Sequence, residues 1–294
     1  MTNAIKGLWV ALATPLGPDG AIDSAEMARH AKSLLADGCD GIVLFGTTGE
    51  GTSFGAAERI AAAEALLKSG IAANQLALGT GCPAITDTIA LTRAMRTIGL
   101  THALMLPPYF YRDATHEGIG DAFSAVIEKL ADPDLRVTLY HIPQTSGVAI
   151  APAVAARLRK RFGAVIAGLK DSSADFAQFR AFRACVPDLP ILVGNEVDIG
   201  RALAEGGVGT ICGMANLVPA LVRAMFTDAN AQGPMKAALA QMKAPFLPVM
   251  KSTLAVRTGH ADWRRVRAPL SAASEAVGQE VARGLTALVA GRPA

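Results

Sequence analysis

The sequence predicts a (β/α)8 barrel, also called a TIM barrel, with a C-terminal helical extension. Eight short runs rich in Val, Ile and Leu recur along roughly the first 215 residues, and helical patterns separate them. Each run is apolar almost throughout, as is usual for parallel strands that are covered on both faces. Eight strands, each followed by a helix, indicate a closed barrel.

The eight predicted strands share a short length and an unbroken apolar character. In chain order they are LWVALA (8–13), GIVLFG (41–46), LALGTG (76–81), HALMLP (102–107), RVTLYHI (136–142), VIAGLK (165–170), ILVG (191–194) and GTICG (209–213). A doubly wound open sheet is the alternative, but it usually has fewer strands and a glycine fingerprint after the first. Here the first strand leads into ATPLGPDG, which is not such a fingerprint, so the barrel is favoured.

The helix after the first strand is predicted from its start, its apolar stripe and its stop. Ser24 is the expected N-cap and Gly38 the expected C-terminal stop. Met27, Ala31 and Leu34 lie on one apolar face. Similar patterns predict further helices over 55–70, 85–99, 115–131, 151–163, 173–185 and 198–207.

The strand-like runs stop after about residue 218. Three later stretches, 219–233, 234–259 and 268–290, are typical of helices broken at glycines and prolines. No polar linker precedes them. We therefore expect a catalytic barrel over 1–218 and a helical region over 219–294 that packs on the barrel.

Composition and charge argue against several classes of function. The formal net charge of +3, from 28 basic and 25 acidic residues, provides no field that favours nucleic acid or an anionic membrane. The four cysteines are widely separated, as in a reduced protein, and the five histidines show no ligand spacing, so no metal site is predicted. The N-terminus lacks the pattern of a signal peptide, and no apolar stretch approaches the roughly 20 residues that span a bilayer. We therefore expect a cytoplasmic protein.

Lys170 follows the apolar run of the sixth strand directly and is the main candidate for chemistry. A lysine usually lies on the surface, but Gly168, on the same face of the strand, leaves space beside Lys170 inside the barrel. A partly buried amine is more often neutral near pH 7 than an exposed one, and it is then a nucleophile. Such an amine forms a Schiff base with a carbonyl, which is an electron sink for breaking or making an adjacent C–C bond.

Two other strand ends carry candidate residues. Tyr140, near the end of the fifth strand, is either a core aromatic or a phenol that transfers protons at the barrel mouth. After the second strand, GTTGEG (46–51) is either a glycine-rich turn or a cradle for a carboxylate. Backbone N–H groups and the hydroxyls of Thr47 and Thr48 would form that cradle.

Two other motif matches are rejected. GTSFG (51–55) fits the G-x-S-x-G pattern of serine hydrolases. However, Ser53 lies well past Phe45, the predicted strand end, and no partner histidine is indicated. GAVIAGLK (163–170) approaches a P-loop, but its glycines flank a strand and no Ser or Thr follows the lysine at the required place.

The retained motifs resemble those of the dihydrodipicolinate synthase / N-acetylneuraminate lyase family. GTTGE, LPPYFYR, LYHIP and GLKDSS occur in this order at strand ends. The similarity continues through GNE, GTICGMAN, PVMKSTLAVRTG and RAPL, so it covers nearly the whole chain. This resemblance implies a class I, Schiff-base-forming lyase or synthase on a (β/α)8 barrel with a helical C-terminal region. It also implies a homotetramer that acts on pyruvate, or on a 2-oxo acid that yields it, without a metal or organic cofactor.

The resemblance assigns roles to particular residues. Lys170 is expected to form the imine, and Tyr140 to transfer protons with Thr48 in the relay. Thr47 and Thr48 are expected to hold the substrate carboxylate, and the Ile211 carbonyl to line the pyruvate pocket. The remaining expected substrate contacts are Gly46, Thr145, Ser172, Gly194 and Glu196.

Two positions depart from the biosynthetic synthases that the chain resembles. Those enzymes have an arginine two residues after the proline of the tyrosine motif, where it binds the carboxylate of the semialdehyde. Thr145 stands at that position here. They also use a tyrosine lent across a subunit interface, and the corresponding residue here is Phe110, with Tyr111 next to it. Loss of the arginine removes a specific carboxylate partner, which disfavours lysine biosynthesis.

The polar residues near these strand ends favour a different substrate. Thr145, Ser146, Ser172 and Glu196 offer partners to a polyhydroxylated chain. We therefore expect an aldolase or dehydratase of a 2-oxo-3-deoxy sugar acid. The alternatives are 4-hydroxy-tetrahydrodipicolinate synthase and a paralogue that binds a 2-oxo acid without turnover.

Overall fold

The computed structural model describes residues 4–290, in which eight parallel strands form a closed barrel. The strands are β1 (Gly7–Ala11), β2 (Gly41–Leu44), β3 (Leu76–Gly79), β4 (His102–Met105), β5 (Arg136–His141), β6 (Ile166–Asp171), β7 (Ile191–Val193) and β8 (Gly209–Cys212). They pair in chain order, and β1 closes the barrel by pairing with β8. The predicted (β/α)8 fold is confirmed, and each predicted strand is present.

Helices cover the barrel and continue after it. They are α1 (Ser24–Ala36), α2 (Ala56–Lys68), α3 (Ile85–Thr97), α4 (His116–Leu130), α5 (Pro143–Ser146), α6 (Pro152–Phe162), α7 (Phe176–Cys185), α8 (Ile199–Ala204), α9 (Pro219–Ala224), α10 (Gln232–Gln241), α11 (Phe246–Thr258) and α12 (Glu275–Ala290). The seven helices predicted around the barrel are all present. None of the helices in residues 4–290 is long and apolar enough to cross a membrane.

The start of α1 differs from the prediction by one residue. Asp23 is the N-cap, and its side chain accepts a hydrogen bond from the backbone N–H of Glu26 at 3.0 Å. Ser24 is instead the first residue of the helix. Aspartate and serine cap helices about equally well, so sequence alone could not rank two adjacent candidates. The predicted stop is confirmed, because Gly38 follows the helix with a φ of 91°.

The short helix α5 was not predicted. It begins at Pro143, whose fixed φ suits a first helical turn, and ends before Gly147, which has a φ of 73°. One turn is too short to show helical periodicity in a sequence. The helix matters for the site because it carries Thr145 and Ser146 just beyond the end of β5.

The buried apolar side chains form two clusters, which reflect the alternation of side chains along the strands. The larger cluster lies between the strands and the surrounding helices. The smaller one fills the barrel interior and includes Trp9, Leu104, Leu192 and Ile211, together with Tyr140. The packed interior leaves the carboxyl ends of the strands as the place for a site.

The C-terminal helices contact the barrel through polar as well as apolar groups. In the 3₁₀ turn after α11, the indole N–H of Trp263 donates to the Glu26 carboxylate on α1 at 2.5 Å. Helices α11 and α12 also pack against each other. The division of the chain at residue 218 stays a prediction, and its last residues, 291–294, lie outside the described part.

Candidate active site

Lys170 and Tyr140 lie side by side at the carboxyl ends of β6 and β5. They are direct partners in the parallel register of these strands. The Lys170 Nζ lies 4.2 Å from the centre of the Tyr140 ring. Only 4% of Lys170 and 3% of Tyr140 are exposed, so the amine is held in a largely dry environment. In the layer beneath, an added Cβ at Gly168 would lie 3.2 Å from the Pro190 carbonyl oxygen and 3.5 Å from the Thr138 hydroxyl, so the space that was expected beside this glycine is closely packed.

Thr47 connects the loop after β2 to the phenol. Its Oγ1 lies 3.1 Å from the Tyr140 hydroxyl, and either oxygen can donate the hydrogen bond. The resemblance to the family implied that Thr48 takes part in the relay instead. Thr48 is half-buried, and its Oγ1 faces Gly213, where an added Cβ would approach it to 3.2 Å. The hydroxyl that reaches the phenol in this structure is therefore that of Thr47, and the role of Thr48 stays a prediction.

The segment 45–55, called the β2 loop below, turns so sharply after β2 that only glycine fits at Gly51 within it and at Gly79 on the neighbouring strand β3. Phe45 adopts a left-handed conformation with a φ of 55°. A Cβ at Gly51 or at Gly79 would lie 2.0 or 2.2 Å from the Phe45 carbonyl oxygen. These glycines therefore allow the chain to double back on itself after β2. The loop is a built turn, which is compatible with the predicted carboxylate cradle.

A buried ion pair ties the β2 loop to α11. The Lys251 Nζ lies 2.5 Å from a carboxylate oxygen of Glu50, and both side chains have no exposed surface. The second Glu50 oxygen accepts a hydrogen bond from the backbone N–H of Arg267 at 3.2 Å. Burial lowers the pKa of Lys251, while the Glu50 carboxylate opposes that change. Sequence reasoning assigned no role to either residue, although a lysine within the apolar run PVMKSTLAV is the same signal that singled out Lys170.

A cavity of about 210 Å³ opens at the barrel mouth between β2 and α5. Of the predicted site residues, it brings together Gly46, Thr47, Tyr140 and Thr145. Lys170 and Thr48 are not among the residues that line this cavity, but the Lys170 Nζ contacts the ring of Tyr140, which does line it. The remaining lining residues are Phe45, Gly51, Thr52, Arg59, Gly79, Gly81, Leu104, Leu106, Tyr109, Ile142 and Ser146.

Ser172 and Gly194 pack against each other on the other side of Lys170. The Ser172 Oγ lies where a Cβ of residue 194 would be, at 1.9 Å, so only glycine fits there. The Ser172 carbonyl accepts a hydrogen bond from the Gln144 side chain at 2.5 Å. Neither Ser172 nor Gly194 lines the cavity of about 210 Å³, and their role in binding stays a prediction.

Glu196 is buried behind the site. One of its carboxylate oxygens accepts a hydrogen bond from the backbone N–H of Met214 at 2.9 Å. Burial raises the pKa of this carboxyl group, although Lys170 is near enough to oppose the change. Ile211 lies on β8 in the same interior cluster as Tyr140 and is fully buried. Neither Glu196 nor Ile211 lines the cavity, and their roles stay predictions.

Phe110 and Tyr111 lie at the opposite extreme of exposure. They belong to the segment 106–115, called the β4 loop below, and 79% and 73% of these residues are exposed. Their rings contact each other edge to face, with centroids 5.5 Å apart. Phe110 has a φ of 116°, which is strained for a residue with a side chain. Tyr109, one residue earlier, lines the cavity.

The rejected motifs gain no support from the structure. Ser53 lies in a 3₁₀ turn, where its carbonyl accepts a hydrogen bond from Arg267 at 3.0 Å. Within residues 4–290, no histidine hydrogen-bonds to Ser53. The same residues contain no group of three or more His, Cys, Asp or Glu side chains that could hold a metal ion.

Comparison with known proteins gives one consistent result. The model of the dihydrodipicolinate synthetase family matches residues 4–284. An uncharacterized DapA-like lyase from Chloroflexus aurantiacus is 37% identical over 240 residues, which are 81% of this chain and 80% of that protein. A 4-hydroxy-tetrahydrodipicolinate synthase from Persephonella marina is 36% identical over 219 residues, or 73% and 71% of the two chains. The crystal structure of dihydrodipicolinate synthase from Agrobacterium tumefaciens is 33% identical, with a TM-score of 0.90 over 97% of this chain and 99% of that one.

Proposed function

This chain belongs to the dihydrodipicolinate synthetase family, a family of lyases and synthases, and we propose that it is an aldolase or dehydratase of a 2-oxo-3-deoxy sugar acid. The proposed mechanism is of class I, in which a lysine forms a Schiff base with the 2-oxo acid. The observation that carries it is the buried Lys170 amine against the Tyr140 ring, with Thr47 bonded to the phenol. If Tyr140 were only a core aromatic, its packing would not require a buried amine against its ring or a threonine hydroxyl at its phenol.

The first step is formation of the imine. The Lys170 amine attacks the C2 carbonyl of the substrate through its nitrogen lone pair, and a carbinolamine forms. Loss of water from the carbinolamine requires a proton on its oxygen, and the Tyr140 phenol can donate that proton and recover one through Thr47. The substrate carboxylate meets the backbone N–H groups and the threonine hydroxyls of the β2 loop.

The imine then allows either of two outcomes. In aldol cleavage, the C4 hydroxyl loses its proton, the C3–C4 bond breaks, and its electron pair moves into the iminium to give an enamine and an aldehyde. Protonation at C3 and hydrolysis of the imine release pyruvate and regenerate Lys170. In dehydration, loss of a C3 proton gives the enamine, which expels the C4 hydroxyl as water.

Thr145 and Ser146 support the sugar-acid substrate. Both line the cavity from α5. Thr145 stands where the biosynthetic synthases have an arginine, whereas the Ser146 hydroxyl also bonds to the backbone of Ile142 and Val148. Hydroxyl groups are suitable partners for a polyhydroxylated chain. The Ser172 and Glu196 side chains, which were expected to add to this set, lie outside the cavity, so the proposal depends on α5 and the β2 loop.

A second candidate is 4-hydroxy-tetrahydrodipicolinate synthase, which the names of several relatives favour. This reaction joins pyruvate to aspartate semialdehyde, whose carboxylate would meet Thr145 instead of an arginine. We expect kcat/KM for this pair to be at least about 100-fold below that for the best sugar acid. A higher value with the semialdehyde would reverse the assignment.

The mechanism is tested by trapping the imine. The protein is incubated with pyruvate and with a panel of 2-oxo-3-deoxy sugar acids, reduced with borohydride and mapped by mass spectrometry. A reduced adduct is expected on Lys170 and not on Lys251, which is equally buried but paired with Glu50. Ser53→Ala serves as a control that should leave trapping and turnover unchanged.

The outcome also separates the enzyme from a binding paralogue. A pyruvyl mass left by one sugar acid would identify aldol cleavage of that substrate. Tight binding of a 2-oxo acid, without an adduct or turnover in folded protein, would show that the chain binds without catalysis. We further propose a cytoplasmic homotetramer, for which the exposed Phe110 and Tyr111 provide a contact surface, and light scattering would measure the assembly.

A further inference from the structure

Arg59 on α2 is a buried cation at the wall of the cavity. Only 5% of the residue is exposed, and it lines the same cavity as Tyr140 and Thr145. Its guanidinium donates to the carbonyl oxygens of Phe54 at 3.0 Å and Gly79 at 3.1 Å, and also to that of Gly51. These acceptors are neutral, so the hydrogen bonds satisfy donors without cancelling the charge.

The other two cations beside the β2 loop are paired with carboxylates. Lys251 is paired with Glu50. Arg267 is paired with Glu58, at 2.6 Å, although Glu58 is the residue next to Arg59 in the chain. Among the described residues, Arg59 forms no ion pair. The arrangement therefore leaves one positive charge without a carboxylate partner, on a residue that lines the cavity.

The groups nearest to Arg59 do not supply the missing negative charge. Burial raises the pKa of the Cys82 thiol and of the Tyr109 phenol, so both are neutral at physiological pH. Leu104 and Leu106 make much of the remaining wall apolar. In such a wall a charge acts with little screening, and an anion that enters the cavity is attracted strongly.

We infer that Arg59 selects substrates whose aldehyde half ends in a carboxylate. This inference deepens the proposed function and rests on it. In the synthases, an arginine at the position of Thr145 binds the carboxylate of the aldehyde substrate. Here Arg59 would bind the same carboxylate, but from the β2 side of the barrel mouth and not from α5. Two sources share this chemistry: a 2-oxo-3-deoxy sugar acid with a second, terminal carboxylate, and the short semialdehyde of an amino diacid.

The first test needs no variant. Two 2-oxo-3-deoxy sugar acids of equal length and configuration are compared, one ending in a carboxylate and the other in CH2OH. We expect kcat/KM for the diacid to exceed that for the monoacid by about 10- to 100-fold. A third arm, pyruvate with aspartate semialdehyde, shows which of the two sources is used. Equal kcat/KM for the two sugar acids would overturn the inference.

The second test separates charge recognition from support of the loop. Arg59→Met removes the charge and the three carbonyl contacts, whereas Arg59→Lys keeps the charge. If Arg59 recognises a carboxylate, the diacid preference falls to about 1 in Arg59→Met and is partly kept in Arg59→Lys. If Arg59 only supports the loop, both variants lose activity toward both substrates equally, which would overturn the inference. Should Arg59→Met fail to fold, the wild-type ratio and Arg59→Lys still decide.

Failure of this inference is distinguishable from failure of the proposed function. Borohydride trapping with pyruvate reports on Lys170 alone, because pyruvate has no aldehyde half. An adduct on Lys170 together with no preference for a terminal carboxylate would remove only the role of Arg59. No adduct on Lys170 would remove the Schiff-base mechanism itself.

Discussion

The β2 loop and the β4 loop flank the same cavity but are held in opposite ways. The β2 loop is tied down by the buried Lys251–Glu50 pair and by Arg267, which also lies over the Phe54 ring with its guanidinium carbon 4.4 Å from the ring centre. The β4 loop presents Phe110 and Tyr111 to solvent, and Phe110 has a strained backbone. The β2 loop is therefore anchored by buried side chains, whereas the β4 loop exposes its two aromatic rings to solvent.

This difference matches the tasks that the two loops would have in a class I lyase. The β2 loop would bind the 2-oxo carboxylate, which every substrate of such an enzyme carries. Donors aimed at a fixed charge are most effective when they do not have to reorganise. Residues 110–115 of the β4 loop are all exposed, and we expect a segment with so few buried contacts to open locally at a lower free-energy cost than the β2 loop. The contrast can be tested by four changes, from the largest expected effect to the smallest.

Among the single substitutions, Lys251→Met should have the largest effect on stability. It leaves the Glu50 carboxylate buried without its partner, and breaking a buried pair in this way costs about 3–5 kcal/mol of unfolding free energy. Urea titration followed by circular dichroism would measure the loss. The double variant Glu50→Gln/Lys251→Met is the control, and it should recover part of the loss because no charge remains buried. A loss below about 1 kcal/mol in the single variant would show that the β2 loop is not held by this pair.

Lowering the pH should decrease the free energy of unfolding of the barrel, which carries three buried histidines on α1, β4 and β5. Burial lowers the pKa of His30, His102 and His141 to about 4. Histidine in the unfolded chain titrates near about 6.5, so between these two values the unfolded state binds more protons than the folded state. The free energy of unfolding should therefore fall as the pH is lowered from about 6.5 to about 4, by up to about 3 kcal/mol for each histidine.

The variant His102→Phe isolates one of these contributions. His102 packs edge to face against Trp9, with ring centroids 6.2 Å apart, and a phenyl ring can keep this contact. Urea titrations at several pH values should show a smaller acid loss than in wild type. Between about pH 6.5 and 4, the pH dependence of the double variant Glu50→Gln/Lys251→Met should instead run parallel to that of wild type, because these histidines do not belong to the loop pair and no unpaired carboxylate remains buried. An unchanged slope in His102→Phe would contradict the assignment.

Arg267→Met should have an intermediate effect. The substitution removes the ion pair with Glu58 and hydrogen bonds to the carbonyls of Ser53 and Gly20. The side chain is partly exposed, so we expect a loss of about 1–2 kcal/mol in unfolding free energy. Chymotrypsin cleavage after Phe54 should become faster, whereas cleavage after Phe110 should not change. Equal acceleration at both sites would mean that Arg267 stabilises the whole barrel and not the β2 loop.

Phe110→Gly should have the smallest effect. Glycine relieves the strain of a φ of 116° but gains freedom in the unfolded chain, and these effects oppose each other. We expect the unfolding free energy to stay within about 0.5 kcal/mol of wild type in dilute, monomeric protein. A loss above about 2 kcal/mol would show that Phe110 is buried in solution, and repeating the titration at several protein concentrations would identify burial against a second copy.

The barrel and its central pair were accessible from sequence because they depend on local patterns. Unbroken apolar runs identified the strands, and β5 and β6 are adjacent in the barrel, so their ends bring Tyr140 and Lys170 together. The resemblance to a known family added the roles of these residues. Helix α5 was missed because a single turn is too short to show helical periodicity. The N-cap of α1 was placed at Ser24 and not at Asp23 because the two adjacent residues are equally good caps.

The supports of the site were not accessible in this way. Glu50 and Lys251 are 201 positions apart, and no local pattern pairs a loop carboxylate with a lysine on α11. The proposed role of Arg59 depends on the absence of a carboxylate partner for its guanidinium among the described residues, which is visible only in the three-dimensional structure. Conversely, Ser172 and Glu196 are at strand ends, as expected, but their environments turn them toward Gly194 and Met214.

The pairing of Glu50 with Lys251 also orders events during synthesis of the chain. All eight strands precede α11 in the chain, so they are synthesised before Lys251. At that stage Glu50 has no partner, and burying its carboxylate is unfavourable. The β2 loop therefore lacks the ion pair that anchors it until α11 has been synthesised and packs on the barrel. A chain that stops short of α11 would lack the partner of Glu50, and we expect its β2 loop, which carries the proposed carboxylate cradle, to be less stable than in the full chain.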